Sequence, residues 1–409
     1  MPRNTRPHFR KTLLALAAGA ALAPHMSWAV DLAQSPPGTV EPYVTPNVII
    51  SIDDSGSMNF RVDTESSSGA TDNTAPNADG TWPGTSRRIN VLKYALQQVI
   101  KDTTLLPDKK IRLAWQAMWN NGNAPGVGTK IVQQCTGSGK TKVCNDVEVS
   151  TGATTVDSAT RGVNSMSPLQ GNATTAGHRK DFLDFVNSLS ASNGTPSHRM
   201  FSQADAYMRR ALSKDGPWSS NPGGTDTAST TYLGCRRNYH IMMTDGRWNN
   251  TSYHVPDTTR RDNATNLALP DGTVYGGTTA AEIAKTALYR DKFTKTLADW
   301  AFYSWAKPLQ TSPLLKGSPD PAADYRKAPT TENFGKDSAN KDAILDRFWN
   351  PRYNPATWPH MVTYTIGFSA MATTWPDAPT IIAPTSMVPF GYDGSFQDLV
   401  TGNKTWPAM

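Results

Sequence analysis

Cysteine is scarce, with only Cys135, Cys144 and Cys235 in 409 residues, and their spacings, with no convergent histidine, are wrong for a zinc site. Long apolar runs are also lacking. The one pronounced stretch, Thr12 to Ala23, is too short to cross a bilayer. An excess of one charge is missing as well, once the amino terminus is set aside. The chain has 40 Lys and Arg against 34 Asp and Glu, but four of the basic residues and none of the acidic ones precede Val30, which leaves 36 against 34. A net charge of +2 gives no reason to invoke a nucleic-acid partner.

The amino terminus reads as an export signal. Arg3, Arg6, Arg10 and Lys11 form a basic region, the apolar stretch follows, and Ser27-Trp28-Ala29 is a small-x-small cleavage site. Residues 1–29 are therefore expected to be removed after Ala29, with an uncleaved anchor as the alternative. Residues 30–409 then meet an oxidising compartment. There Cys135 and Cys144 flank the short turn "TGSGKTKV" and are positioned to close a hairpin, leaving Cys235 unpaired. A pairing of Cys235 with either of the others stays open. The "GSGKT" inside that turn is not a P-loop, because Gln134 stands where the first glycine is required and a strand-like stretch, Val143 to Val149, follows it. No nucleotide is expected.

Oxygen-bearing side chains are plentiful, and they gather at particular places. The run Val48, Ile49, Ile50, Ser51, Ile52 reads as a strand covered on both faces, and "DDSGS" follows it directly. Asp53, Ser55 and Ser57 alternate, so a tight loop can aim three oxygens at one point, a hard-cation arrangement. An EF-hand loop is excluded, since its Gly and Glu positions hold Met58 and Thr64. A G-x-S-x-G nucleophile elbow is absent. The bland alternative is a polar turn capping the next helix. Two further loops tip the balance: Thr195 precedes a helix-like stretch from Met200 to Leu212, and a second apolar strand, Tyr239 to Met243, ends in Thr244, Asp245 and Gly246. In an open parallel sheet such strand ends converge near a topological switch point.

This set, D-x-S-G-S, then a loop threonine, then a strand ending T-D-G, resembles the metal-ion-dependent adhesion site of von Willebrand factor type A domains. The resemblance implies that Asp53, Ser55, Ser57, Thr195 and Asp245 bind Mg²⁺ (or Mn²⁺), the serines directly and the aspartates mainly through water. Mostly neutral ligands leave Mg²⁺ short of negative charge, so a partner's carboxylate can complete its shell. That is a docking site and not a catalytic centre. A metal-dependent hydrolase would need a general base, and the nearest histidine is His198, one turn into the helix after Thr195.

The remaining pattern is α/β. Ile89, Leu92, Leu96 and Val99 follow helical spacing, as do Phe182, Phe185, Val186 and Leu189, whereas Ile111, Leu113, Trp115 and Ala117 alternate. An aromatic-rich helix over 294–306, its aromatics read as core, and a last strand over 361–368 complete the set. The expected fold is a doubly wound, mostly parallel sheet with core strands near 46–53, 110–119, 238–245 and 361–368. Long polar insertions over 61–86, 150–176, 215–231 and 307–340 interrupt it.

Those insertions sharpen the resemblance. "LAQSPP", "PNVIISIDDSGSM", "CRRNYHIMMTDGRWN", "LPDGTVYGG", "LADWAFYSWA", "NPATWPHMVTYTIGF" and "GYDGSFQDLVTGNKTWP", in that order, are similar to the amino-terminal region of the PilC/PilY type IV pilus tip adhesins and biogenesis factors. Pro359 stands where that family's "TWQHMV" has glutamine, and the chain ends at Met409, before the family's β-propeller-like domain. The resemblance implies an exported, pilus-associated adhesion module, from periplasm to pilus tip. Its expected partners are a host-cell or surface ligand with an acidic group and the minor pilins. A periplasmic assembly factor that recognises minor pilins is the alternative.

Overall fold

Four apolar strands line up in parallel and in flush register. β1 (Asn47–Ile52) pairs on one side with β2 (Arg112–Ala117), Asn47 opposite Arg112 and Ile52 opposite Ala117. On its other side it pairs with β4 (Asn238–Thr244), Asn47 opposite Asn238 and Ile52 opposite Met243. β5 (Met361–Gly367) continues the parallel run beyond β4, and the two-residue β3 (Ser167–Pro168) adds an antiparallel edge to β2. The order is β5-β4-β1-β2-β3. The chain leaves β1 toward one side of the sheet and later returns to its other side, so the connections change direction between β1 and β4.

The computed structural model describes residues 44–119, 129–136, 143–150, 163–220, 231–245, 253–286, 294–321, 323–336, 342–350 and 353–367. All of these fall in one of the chain's two units, Pro42–Met409; the other, Met1–Glu41, which contains the expected export signal, lies outside them. Among the described residues no helix is long and apolar enough to cross a membrane.

Every residue of β1 and β2 is buried, which explains the nearly unbroken apolar run of β1; in β2 the buried set includes Arg112 and Gln116, whose side chains donate to the Pro217 and Ser219 carbonyls and to the Ser51 hydroxyl. Val48, Ile50 and Ile52 of β1 pack with Leu113 and Trp115 of β2 against α1 (Arg88–Lys101) and α2 (His178–Ser188). Ile49, Ala114 and Met242 face the other way, toward α3 (Ser197–Arg209) and α5 (Leu297–Ala306). Each large side chain so covered contributes about 1.5–3 kcal/mol of burial.

The aromatics of α5 are core, as expected. Trp300 and Tyr303 join the sheet-facing cluster, while Phe302 and Ala306 pack outward on Tyr275, Leu345, Trp349 and Trp358. α5 is thus buried on two sides, and a reciprocal capping box between Thr296 and Asp299 starts it. A shorter helix, α4 (Ala280–Thr286), precedes it. In α1 the buried positions are Arg88, Ile89, Leu92, Leu96 and Ile100; Val99, expected on that face, is 45 % exposed. Ile100 takes its place because a step of four from Leu96 stays on the stripe facing the sheet.

Strands Thr129–Thr136 and Val143–Ser150 form the expected antiparallel ribbon, with Cys135 directly opposite Cys144 in register. A strand, not a helix, follows the "GSGKT" segment, whose own residues 137–141 lie outside the described ones.

Candidate functional site: an oxygen cluster at the carboxyl edge of the sheet

The ladder between β1 and β4 runs one residue past β1, with the Asp53 amide donating to the Met243 carbonyl at 2.9 Å. Beyond it the chain turns into a single 3₁₀ turn, Gly56–Asn59. The two aspartates before this turn reach in opposite directions. Asp53 Oδ2 accepts from the Thr244 hydroxyl at 2.8 Å, tying β1 to β4, and its Oδ1 accepts from the Ser55 amide at 2.8 Å. Asp54 Oδ1 accepts from the Trp119 amide at 2.9 Å, tying β1 to the end of β2.

The hydroxyls form a chain across the strand ends. Ser57 Oγ donates to Asp245 Oδ1 at 2.8 Å, and Ser55 and Ser57 Oγ atoms lie 3.1 Å apart. Since the Ser57 proton goes to Asp245, Ser55 is the donor to Ser57. Four of the five sequence-predicted residues are thereby joined in one hydrogen-bonded cluster: Asp53 to Ser55, Ser55 to Ser57, Ser57 to Asp245.

Thr195, the fifth, is buried in the loop that leads into α3. That loop is stitched to the β1 turn. The Ser192 amide donates to the Asp54 carbonyl at 2.9 Å, the Gly56 amide to the Asn193 carbonyl at 2.7 Å, and Asn59 Nδ2 to the Ala191 carbonyl at 2.7 Å. Trp119 Nε1 donates to the Gly194 carbonyl. Gly56 has no room for a side chain, because an added Cβ would sit 3.0 Å from the Asn193 carbonyl oxygen.

Arg88, the first residue of α1, joins the cluster from outside the D-x-S-G-S and T-D-G segments. It is 1 % exposed, and its Nη1 donates to Asp245 Oδ2 at 2.9 Å. Nη2 reaches Glu65 Oε1 at 2.6 Å and the Thr64 carbonyl at 2.9 Å, and Nε reaches the Arg61 carbonyl at 3.1 Å. One guanidinium therefore links a site carboxylate to the start of the 61–86 insertion. The sequence signal was available: Arg88 lies four residues before Leu92 and eight before Leu96, a charge on the apolar stripe of an amphipathic helix.

Charge is unevenly compensated here. Asp53 is fully buried, and its hydrogen-bond donors are a hydroxyl and an amide, both neutral. Burial, reinforced by repulsion from Asp245, pushes its carboxyl up to about 6. Burial also raises Asp245, against the opposing pull of Arg88 and Ser57. Among the described residues no three His, Cys, Asp or Glu side chains converge, so a nitrogen or sulfur metal centre is not formed there. Two crowded carboxylates with serine hydroxyls between them are instead a hard-oxygen donor set, and a Mg²⁺-class cation would supply the positive charge that Asp53 lacks. The residues present fit such an ion.

Beneath the cluster, on the α3 face of the sheet, Ser51 Oγ meets His240 Nε2 and Gln116 Nε2, each at 2.8 Å. Burial drives His240 down to about 3, so it is neutral. His198, the candidate general base of a hydrolase, is buried, with Nε2 at 2.9 Å from the Lys295 carbonyl oxygen.

The molecule is thus an α/β protein built on a mostly parallel sheet, with an oxygen cluster where its connections reverse, the usual ligand position of such sheets. Its relatives give the more particular setting. Over 233 residues, 57 % of this chain, it is 35 % identical to the type IV pilus biogenesis factor PilY1 of Pseudomonas aeruginosa strain PAO1, and 34 % identical to that of strain PAK. The PilY1 of strain UCBPP-PA14 is 31 % identical over a stretch of the same length. These proteins are homologues of the chain, which matches 16–17 % of their length. No protein-family model matches. No solved structure matches either.

Proposed function

We propose that this chain is the metal-dependent docking module of an exported, type IV pilus-associated adhesion and biogenesis protein, with the architecture of a von Willebrand factor type A domain. Asp53, Ser55, Ser57, Thr195 and Asp245 hold Mg²⁺ (or Mn²⁺). The ion supplies a Lewis-acidic position that a carboxylate of a host-cell or surface partner completes. Asp53 and Asp54 fix the turn to the neighbouring strands, Gly56 lets the Thr195 loop close against it, and Arg88 orients Asp245.

The observation that carries this reading is the hydrogen-bonded run Asp53, Ser55, Ser57, Asp245 at the point where the sheet connections reverse, with a fully buried carboxylate held only by neutral donors. Its pilus setting rests on the relatives, which are pilus biogenesis factors. The test is calorimetric titration of the purified chain with Mg²⁺ and Mn²⁺, alongside Asp53→Ala. Weak, saturable binding that disappears in a folded Asp53→Ala protein is the expected result; binding that persists refutes the site.

The name of the relatives favours a second reading, in which the partner is a minor pilin and the module acts in pilus assembly. Attachment of the isolated chain to host cells, lost with EDTA and in Asp53→Ala, supports adhesion. Restored piliation in a strain lacking its full-length relative would put assembly first.

A further inference from the structure

At the opposite, amino edge of the sheet lies a cavity of about 260 Å³ with Thr45, Lys109, Arg112, Ser220 and Arg236 among its lining residues. Among the described lining residues three are basic, two carry hydroxyls and none is a carboxylate. The nearest one in sequence, Asp108, is engaged elsewhere, accepting from the Gly171 amide at 3.2 Å and from Arg179 at 3.0 Å.

The two arginines are 2 % exposed. Arg112 donates to the Ser219 and Pro217 carbonyls at 3.1 and 3.0 Å. Arg236 Nη1 donates to the Thr45 carbonyl, but Arg236 Nε is buried without a hydrogen-bond acceptor. An orphaned donor on a buried cation is costly, and an ion that accepts from it removes that cost. Burial also pushes the Arg236 guanidinium down to about 10, as expected of a cation lacking a counter-charge. Lys109, exposed at the rim, sits at φ +64°, a left-handed conformation that suits glycine or asparagine far better than lysine. Strain of this kind persists at sites that need a particular side chain in place.

We propose that this cavity binds a small oxyanion, a phosphate or carboxylate group, held by Arg236 and Lys109 with hydroxyls of Thr45 and Ser220 beside them. Guanidinium, ammonium and hydroxyl groups with no acid among the described lining residues form an oxyanion-recognition set, to which the Thr45 hydroxyl would turn from the Lys109 carbonyl it meets at 3.4 Å. The site is separate from the metal cluster and does not depend on it.

The experiment uses the full chain in EDTA, titrated with inorganic phosphate and, in a second arm, with acetate, by calorimetry and by ³¹P line broadening for phosphate. Saturable binding of at least one probe is expected, with the tighter probe identifying the class. Lys109→Asn keeps a residue that tolerates positive φ and removes the charge, so it is expected to fold normally and to weaken binding about tenfold or more. Arg236→Gln is expected to weaken it further, and Asp53→Ala to leave it unchanged. No saturable binding by the full chain, or undiminished binding in a folded Lys109→Asn protein, overturns the proposal.

Discussion

The two edges of this sheet bury opposite charges and settle them differently. At the amino edge, Arg112 and Arg236 point their guanidinium groups at the carbonyls of Thr45, Pro217 and Ser219, so that fixed backbone dipoles take up much of the charge and the loops are tied down in the process. At the carboxyl edge, Asp53 and Asp245 are buried beside one another, and of the two Arg88 bonds Asp245 alone. Carbonyl oxygens are abundant in loops and satisfy a five-donor guanidinium easily, whereas a carboxylate must find N–H and O–H donors and its like-charged neighbour makes matters worse. At the amino edge carbonyls take up most of the guanidinium donors, leaving Arg236 Nε without an acceptor. The carboxyl edge is short of positive charge, and that shortage is what the proposed cation would meet.

The strongest way to break the comparison is Asp245→Ala. It removes a fully buried partner of Arg88 and is expected to cost about 3–5 kcal/mol in denaturant unfolding as well as metal binding. Unchanged stability would show that Glu65 and the loop carbonyls suffice for Arg88.

Next in size is the pH response of Asp53. Its folded value, about 6, lies above the ordinary 3.8, so the folded state holds the proton more tightly than the unfolded one. Its contribution is then present below about pH 4 and is lost as pH rises through 6, on the order of 3 kcal/mol. Thermal unfolding of the metal-free chain is therefore expected to be less favourable to the fold at pH 7 than Asp53→Asn, with the difference shrinking toward pH 4. Saturating Mg²⁺ should reverse the ranking at pH 7, because only the wild type binds it. Parallel pH profiles for the two proteins would contradict the crowding described above.

Gly56→Ala tests the fit of the Thr195 loop, and a Cβ at 3.0 Å from the Asn193 carbonyl is expected to cost about 1–2 kcal/mol while weakening metal binding. At the amino edge the sign changes. Lys109→Gly relieves about 1–2 kcal/mol of left-handed strain against about 0.5–1 kcal/mol of added chain entropy, a net gain of at most about 1.5 kcal/mol, readable as a small rise in Tm.

Much of this was legible in the sequence. β1 and β4 announced themselves as apolar runs, β2 by alternation, α1 and α2 by helical spacing and α5 as an aromatic-rich stretch. Asp53, Ser55, Ser57 and Asp245 were found because two strands end in the same chemistry. Arg88, the Thr244–Asp53 bond and the Asp54–Trp119 bond were not, since each depends on a partner far away in the chain, which spacing rules do not reach. The amino-edge cavity escaped for the same reason. Lys109, Arg112 and Arg236 are unremarkable until register brings them to one end of the sheet.

That register also governs when the site can come into being. β1 is flanked by a strand that begins 65 residues later and by another 191 residues later, and the Arg88–Asp245 pair spans 157 residues. Closing such loops comes before the contacts that reward it, so parallel sheets of this connectivity form slowly. A chain emerging from its amino terminus therefore carries β1 with one side unpaired until residue 245 has been made. Throughout that interval half of the oxygen cluster is missing, and the growing chain offers a divalent cation no finished cage. Under the proposed function, metal binding would then report complete assembly of the sheet.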